Sequence, residues 1–302
     1  MLQFHRVTIG DKPFVDAFTA AENSRSADFN FGNIYLWDSA YRQFLAGVDG
    51  RLLTKLKYED LPFFAFPIGT GDIRPAIEAI EEFCAHDGCH LRLRGVTDGH
   101  RDLLEDAYPG LFTFTEDRDN FDYIYLAEKL ATFSGKKLHG KRNFCNRFEK
   151  EHSWEFKPLT RELFPVCMEM LGFWQREFDV PPDGLEDEHG AIIRAFMRWD
   201  ALGLEGGVLF AEGRCVGFTV GEKISSDTFD VHFEKAYAPV PGAYPMVCRE
   251  FAKQILTNHP EIVYLNREDD MGHENLRSAK LEYHPEFLLR KYTAQVTSRE
   301  RV

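Results

Sequence analysis

The stretch Ile262-Val263-Tyr264-Leu265-Asn266-Arg267-Glu268-Asp269-Asp270-Met271-Gly272 passes abruptly from four apolar residues to five polar or charged ones. An apolar run this short, bounded by polar residues, reads as a buried strand. Side chains at the carboxyl end of such a strand, ahead of a helix, stand where open α/β sheets meet their ligands. Acidic groups also favour a helix amino end through its dipole. The spacing alone therefore fits either a site or a polar helix start.

The pattern continues on both sides. Downstream, His273 to Leu281 reads as a helix and Phe287 to Thr293 as a strand. Upstream, Gly207–Ala211, Cys215–Glu222 and Thr228–Lys235 form a three-strand meander, with Glu212-Gly213 as its first turn. The loop Pro239-Val240-Pro241-Gly242-Ala243 then opens a helix from Tyr244 to Leu256. On the last meander strand, alternation puts His232 and Glu234 on one face, away from Val231, Phe233 and Lys235. A histidine beside a carboxylate suits a general base near neutral pH, or else a hydrogen-bonded polar pair on the solvent side.

The first half repeats this order. A helix (11 to 23) precedes strands at Gln43–Val48, Leu52–Tyr58 and Phe63–Ile68, with Asp49-Gly50 as a hairpin turn. A helix follows with Ile73, Ile77, Ile80 and Cys84 on one face, then a strand at Leu91–Arg94, a helix from Asp98 to Ala107, and strands near Leu111–Thr115 and Asp122–Ala127. At an offset of 173 residues, Leu91-Arg92-Leu93-Arg94 falls on Tyr264-Leu265-Asn266-Arg267, and Gly99-His100 on Gly272-His273. The expectation is a tandem duplication of one α+β unit, as domains 1–128 and 129–302. Where the second copy has its acidic cluster, the first has Val96, Thr97 and Asp98. The first copy is expected to shape or pack rather than catalyse.

Composition narrows the function classes. The formal net charge is −13, so nucleic acid or anionic lipid is repelled on average and must be met by a local basic patch. One exists: residues 135 to 150 carry Lys136, Lys137, Lys141, Arg142, Arg147 and Lys150 against the single acid Glu149. It reads as a phosphate or RNA contact, or as a solvated helix face. No apolar run reaches the roughly 20 residues of a membrane helix, and the amino end lacks a signal-peptide core. A soluble, cytoplasmic protein is expected. The six cysteines form no CxxC pair, and Cys84, His86, Cys89 and His90 do not make a closed cage, so no metal site is assigned.

Several motifs together resemble the C-terminal family of phosphatidylglycerol lysyltransferases, within the GNAT acyltransferase superfamily. They are Asp122-Tyr123-Ile124-Tyr125, Ser134-Gly135-Lys136-Lys137 with His139 and Lys141-Arg142-Asn143, Phe233-Glu234-Lys235-Ala236, Asn266 to Gly272, and Asn275 to Pro285. The resemblance spans nearly the whole chain. It implies two tandem GNAT-like domains, each with a mixed, mostly antiparallel sheet flanked by helices. It also implies aminoacyl transfer from aminoacyl-tRNA, which in the characterised relatives goes to a lipid hydroxyl. Those relatives carry a large membrane domain that this chain lacks, so it resembles their soluble branch.

On this basis His232, Glu234, Glu268 and Asp269 are the candidate catalytic residues. Lys235, Tyr244, Asn266, Asp270, Asn275, Arg277 and Lys280 are candidate substrate contacts. Arg277 and Lys280, three apart on one helix face, are expected to meet a phosphate or carboxylate. Lys136, Lys137, Lys141, Arg142 and Gly242 are the candidate phosphate or RNA contacts, with tRNA as partner and a small molecule or lipid headgroup as acceptor. No tightly held cofactor is assigned. The rival donor is acetyl-CoA, whose pyrophosphate GNAT proteins hold on a Q/R-x-x-G-x-G/A loop at a helix amino end. Here only Gly242 of Pro239-Val240-Pro241-Gly242-Ala243-Tyr244 matches, and Pro241 removes an N–H donor. A non-catalytic ligand-binding scaffold is the third reading. Oligomeric state is left open.

Overall fold

The computed structural model describes residues 2–58, 61–178 and 182–296. In chain order the first half runs β1 (His5–Arg6), α1 (Lys12–Glu22), α2 (Phe31–Leu36), α3 (Asp38–Tyr41), β2 (Phe44–Val48), β3 (Arg51–Tyr58), β4 (Leu61–Ala65), β5 (Ile68–Gly69), α4 (Ile73–Asp87), β6 (Arg92–Val96), α5 (Asp98–Ala107), β7 (Phe112–Glu116) and β8 (Asp122–Leu126). The second runs α6 (Ala127–Thr132), α7 (His139–Glu151), β9 (Trp154–Pro158), α8 (Phe164–Phe178), α9 (Pro182–Met197), α10 (Trp199–Leu202), β10 (Glu205–Ala211), β11 (Arg214–Lys223), β12 (Thr228–Ala236), α11 (Ala243–Asn258), β13 (Tyr264–Asn266), α12 (Glu274–Leu281), β14 (Phe287–Leu289) and β15 (Tyr292–Val296). The run Pro181-Pro182-Asp183-Gly184 reads from sequence as a turn between two helices; Pro181 lies outside the described residues, and α9 already begins at Pro182.

The local causes are plain in several elements. Asp49 and Gly50 both adopt positive φ, 44° and 79°, as a two-residue hairpin turn needs. Helix α4 buries Ile73, Ile77, Ile80 and Cys84, and Gly88 closes it in the left-handed region. Asp72 caps it by accepting the Arg74 N–H.

The strands form two sheets. One has the order β1-β2-β3-β4-β6-β15-β7, with β5 on β3; the other has β14-β8-β13-β12-β11-β10-β9. In both, a meander is joined by one parallel pairing, β4 with β6 and β12 with β13, before the antiparallel strands resume. The closing strands are exchanged. β8, which ends the first half, pairs with β13 in the second sheet, while β15 enters the first sheet between β6 and β7. The two compact units are accordingly Met1–Asp122 with Leu289–Val302, and Tyr123–Leu288. The expected single cut at 128 places β8 and β15 in the wrong units, because their partners, not their sequence positions, decide where they belong.

In the first unit the returning strand is tied by charge. Lys291, 1% exposed, pairs with Asp28 at 2.9 Å and Asp122 at 2.7 Å. Burial pushes the Asp28 carboxyl up, against the pull of the Lys291 ammonium. Asp98, at the position corresponding to the acidic cluster, accepts from Arg290 and from the Tyr292 hydroxyl. In the second unit, α11 lies on the sheet and buries Met246, Val247, Phe251, Ala252 and Ile255 against Phe229, Val231 and Leu265. This packing fixes β12 and β13, which present the site.

Candidate functional site

Strand β12 is central and carries four ionisable side chains, Asp230, His232, Glu234 and Lys235. Its pairing with β11 slips once. Val220 opposes Phe233 and Gly221 opposes Val231, so His232 has no residue opposite it in the ladder. This is a β-bulge, which re-aims side chains. Phe229 packs on Phe251 of α11. Glu234 opposes Thr219, which alternates with Gly217, where an added Cβ would stand 2.6 Å from Val247 of α11. Phe229 and Glu234 thus share the α11 face although they are five residues apart, which a regular strand forbids.

The bulge separates the expected His232–Glu234 pair. Glu234 accepts from Arg267 at 2.7 Å on the α11 side. Arg267 also lies over the rings of Tyr283 and Tyr125, at 4.6 and 5.5 Å. Burial raises the Glu234 carboxyl, and the charges of Arg267, Lys280 and Lys141 oppose it.

His232 faces the other way, into carboxylates. Its Nε2 meets Glu222 at 3.1 Å; its Nδ1 meets Glu268 at 3.0 Å and Asp230 at 3.4 Å. The imidazole is fully buried, Asp230 likewise, and Glu268 is 21% exposed. Burial disfavours the imidazolium, but Asp230, Glu222 and Glu268 outweigh it and raise the His232 pKa well above the ordinary value. These three carboxylates thus favour the imidazolium form of the ring. Glu222 and Asp230 were missed from the sequence. The signal for Asp230 was an acid inside an otherwise apolar strand, in Thr228-Phe229-Asp230-Val231-His232.

The loop after β13 is wound tightly, with Glu268 and Met271 at positive φ of 53° and 50° and Gly272 at 76°. Asn266, fully buried, accepts the Glu268 N–H at 2.7 Å and so sets that turn. Asp270, also fully buried, accepts from the Tyr123 hydroxyl at 2.5 Å, the Gly272 N–H at 3.0 Å and two nitrogens of Arg277 at 3.0 and 2.8 Å. Burial pushes its carboxyl up, but these bonds win and hold it far below the usual carboxylate range. Lys280 donates to the backbone carbonyls of Arg267 and Asp269. Arg277 and Lys280 are thus turned inward to hold the loop, rather than outward to a ligand. Asp269 accepts the Met271 N–H and is half-buried, and Asn275 is exposed. Lys235 pairs with Glu188 of α9 at 2.8 Å. Tyr244 is half-buried against the core.

The basic segment divides. Lys141 pairs with Glu282 at 2.7 Å, and Arg142 donates to the Phe133 carbonyl that ends α6. Lys136 and Lys137 are exposed just ahead of α7. Gly242 caps α11 with φ 90°, and a Cβ there would meet the Phe144 carbonyl of α7 at 2.8 Å and Phe148 Cβ at 3.3 Å. The glycine expected in a phosphate cradle thus stands where two helices touch. Burial and the neighbouring Cys89 raise the Cys84 thiol pKa. Among the described residues, no helix is long and apolar enough to cross a membrane.

The fold and these motifs have known counterparts. An uncharacterized protein of Mycoplasmoides gallisepticum is 27% identical over 181 residues, covering 58% of this chain and 56% of that protein. The chain thus spans about half the length of that curated relative. A solved structure of a conserved protein of unknown function from Bacteroides thetaiotaomicron is 36% identical, with a TM-score of 0.93, covering 98% of this chain and 100% of that one. The structure of L-PGS from Bacillus licheniformis shares the fold at 16% identity and a TM-score of 0.66, over 96% of this chain and 93% of that one. The architecture is that of two GNAT-like units in tandem. The family model described as "Phosphatidylglycerol lysyltransferase, C-terminal" matches residues 20–295, and the chain belongs to that family.

Proposed function

We propose that this protein transfers an aminoacyl group from an activated ester, such as an aminoacyl-tRNA, to an amine or hydroxyl acceptor. The acceptor attacks the ester carbonyl, the ribose oxygen leaves, and the acceptor's proton passes to the leaving oxygen. Such a transfer needs alignment and charge stabilisation, with no covalent enzyme intermediate. The family supports the reaction class.

The observation that carries the choice of donor is the contact between Gly242 and α7. A GNAT pyrophosphate cradle uses N–H groups at a helix amino end. Here that end abuts the Phe144 carbonyl, the Ala243 N–H already donates to Val240, and Pro245 has none to give. An ester donor without a pyrophosphate fits this better than a coenzyme A thioester. Glu268 and Asp269, the loop carboxylates with some exposure, receive the amine of donor or acceptor. Lys136 and Lys137 supply the phosphate contact.

Two binding measurements test this. Charged tRNA is expected to bind with a steep salt dependence. A Lys136→Glu/Lys137→Glu double variant weakens that binding about tenfold or more, as loss of phosphate contacts implies. Acetyl-CoA is expected to give no saturable heat in calorimetry. Micromolar coenzyme A binding without tRNA binding would overturn the proposal in favour of an N-acyltransferase. Tight binding of a small molecule without turnover would leave a ligand-binding scaffold.

A further inference from the structure

We propose that Asp230, His232 and Glu268 bind one divalent first-row transition-metal ion, Zn2+ or Mn2+, with Glu222 as the carboxylate that orients the imidazole. The inference concerns the loop already described and stands whether the donor is an ester or a thioester; with the ion bound, Glu268 is its ligand and Asp269 is the carboxylate left to receive an amine.

The geometry carries it. One ligand atom from each of the three residues lies within 4.8 Å of the other two, the one such His/Cys/Asp/Glu group among the described residues. The His232 Nδ1 stands 3.0 Å from Glu268 Oε1 and 3.4 Å from Asp230 Oδ2. Ligands about 2.1 Å from a tetrahedral ion stand roughly 3.4 Å from one another. The three atoms therefore need to move little to share an ion in place of the Nδ1 proton. One imidazole and two carboxylates form a donor set that Zn2+ and Mn2+ accept.

The second observation is on the far side of the ring. Metal-bound histidines almost always donate their other N–H to a carboxylate or carbonyl, which fixes the tautomer and raises ligand basicity. His232 Nε2 faces Glu222 at 3.1 Å, and both side chains are buried. Glu222 is held opposite Asp230 by the β11–β12 register, and the bulge at His232 aims the ring between them. Strand register, bulge and loop turn each place one component. The left-handed turn at Glu268, set by Asn266, brings the last ligand from the loop to the strand. An ion here would clip the loop Asn266–Gly272 to β12.

The test uses tag-free full-length protein, stripped with chelator and titrated with Zn2+ alone by calorimetry, then with Co2+ for its visible spectrum. One equivalent of Zn2+ is expected, with a Kd of about 1 µM or tighter. Co2+ is expected to give weak d–d bands without the intense sulfur charge transfer that Cys84 or Cys89 would cause. Glu268→Gln and His232→Ala each weaken binding tenfold or more, and Glu222→Gln weakens it by about tenfold, as outer-sphere partners do. Circular dichroism checks each fold. If the buried His232→Ala does not fold, Glu268→Gln, on the loop and partly exposed, decides.

Absence of stoichiometric binding at roughly 100 µM ion, a sulfur-type Co2+ spectrum, or unchanged binding in Glu268→Gln overturns the proposal. In the first case the cluster is a caged imidazolium and nothing more. No donor or acceptor is present in these titrations, so failure here and failure of the transfer reading are separable.

Discussion

Arg277 and Lys280 show how a spacing argument can fix the face of a helix without fixing what that face meets. Both lie on one face of α12, as the three-residue interval requires, but that face looks onto the loop. Arg277 closes a two-nitrogen contact on the buried Asp270, and Lys280 collects carbonyls that have turned away from the strand. Helix α12 has no buried residue, so these two polar anchors carry much of its attachment. Arg277→Met is therefore expected to act on stability. Removing one partner of a buried pair costs about 3–5 kcal/mol, and the lower end applies because Arg277 is 21% exposed. Urea unfolding would show this as a lower midpoint. A normal midpoint with weakened anion binding would restore the ligand-contact reading.

Among the elements, the meanders, the crossover helices and the strand that precedes the loop could all be read directly. Their apolar periodicities are regular, and their turns carry residues such as Asp49-Gly50 that tolerate positive φ. The bulge in β12 could not be read. A period-two pattern assigns faces on the assumption that no residue is inserted, and nothing in Val231-His232-Phe233 marks an insertion. One slipped residue moved Glu234 to Arg267 and left His232 among acids contributed by β11, β12 and the loop, which are far apart in sequence. For Gly242 the sequence leaves the reason open, since a glycine needed for close approach looks the same in sequence as one needed for phosphate. Gly242→Leu is expected to destabilise by roughly 1–3 kcal/mol from positive φ alone, and further because its Cβ would press on the Phe144 carbonyl. Thermal unfolding checks this. A variant of unchanged stability that loses nucleotide binding would point back to a cradle.

For the molecule, the duplication was visible because both halves keep the same order of elements. The exchange of their last strands was not, since β8 and β15 are short segments whose own sequences do not name their partners. What distinguishes them is charge. Lys291 enters a site where Asp28 and Asp122 wait, and Arg290 and Tyr292 find Asp98. Lys291→Met leaves the buried Asp122 and the partly exposed Asp28 without their shared cation and is expected to cost about 3–5 kcal/mol. Hydrogen exchange would locate the loss in β6, β7 and β15; protection lost only outside the first unit would contradict it.

The exchange also sets a timetable for the nascent chain. Among the described residues β7 is paired only with β15, and β15 is translated after the whole of Tyr123–Leu288. β8 leaves the ribosome early but has no neighbour until β13 is made. Completion of the amino-terminal sheet before the next unit is synthesised, the usual order in multidomain chains, is closed to this protein. Its two sheets are completed together, late in translation, and until then β6 and β7 present open edges to whatever else is nearby.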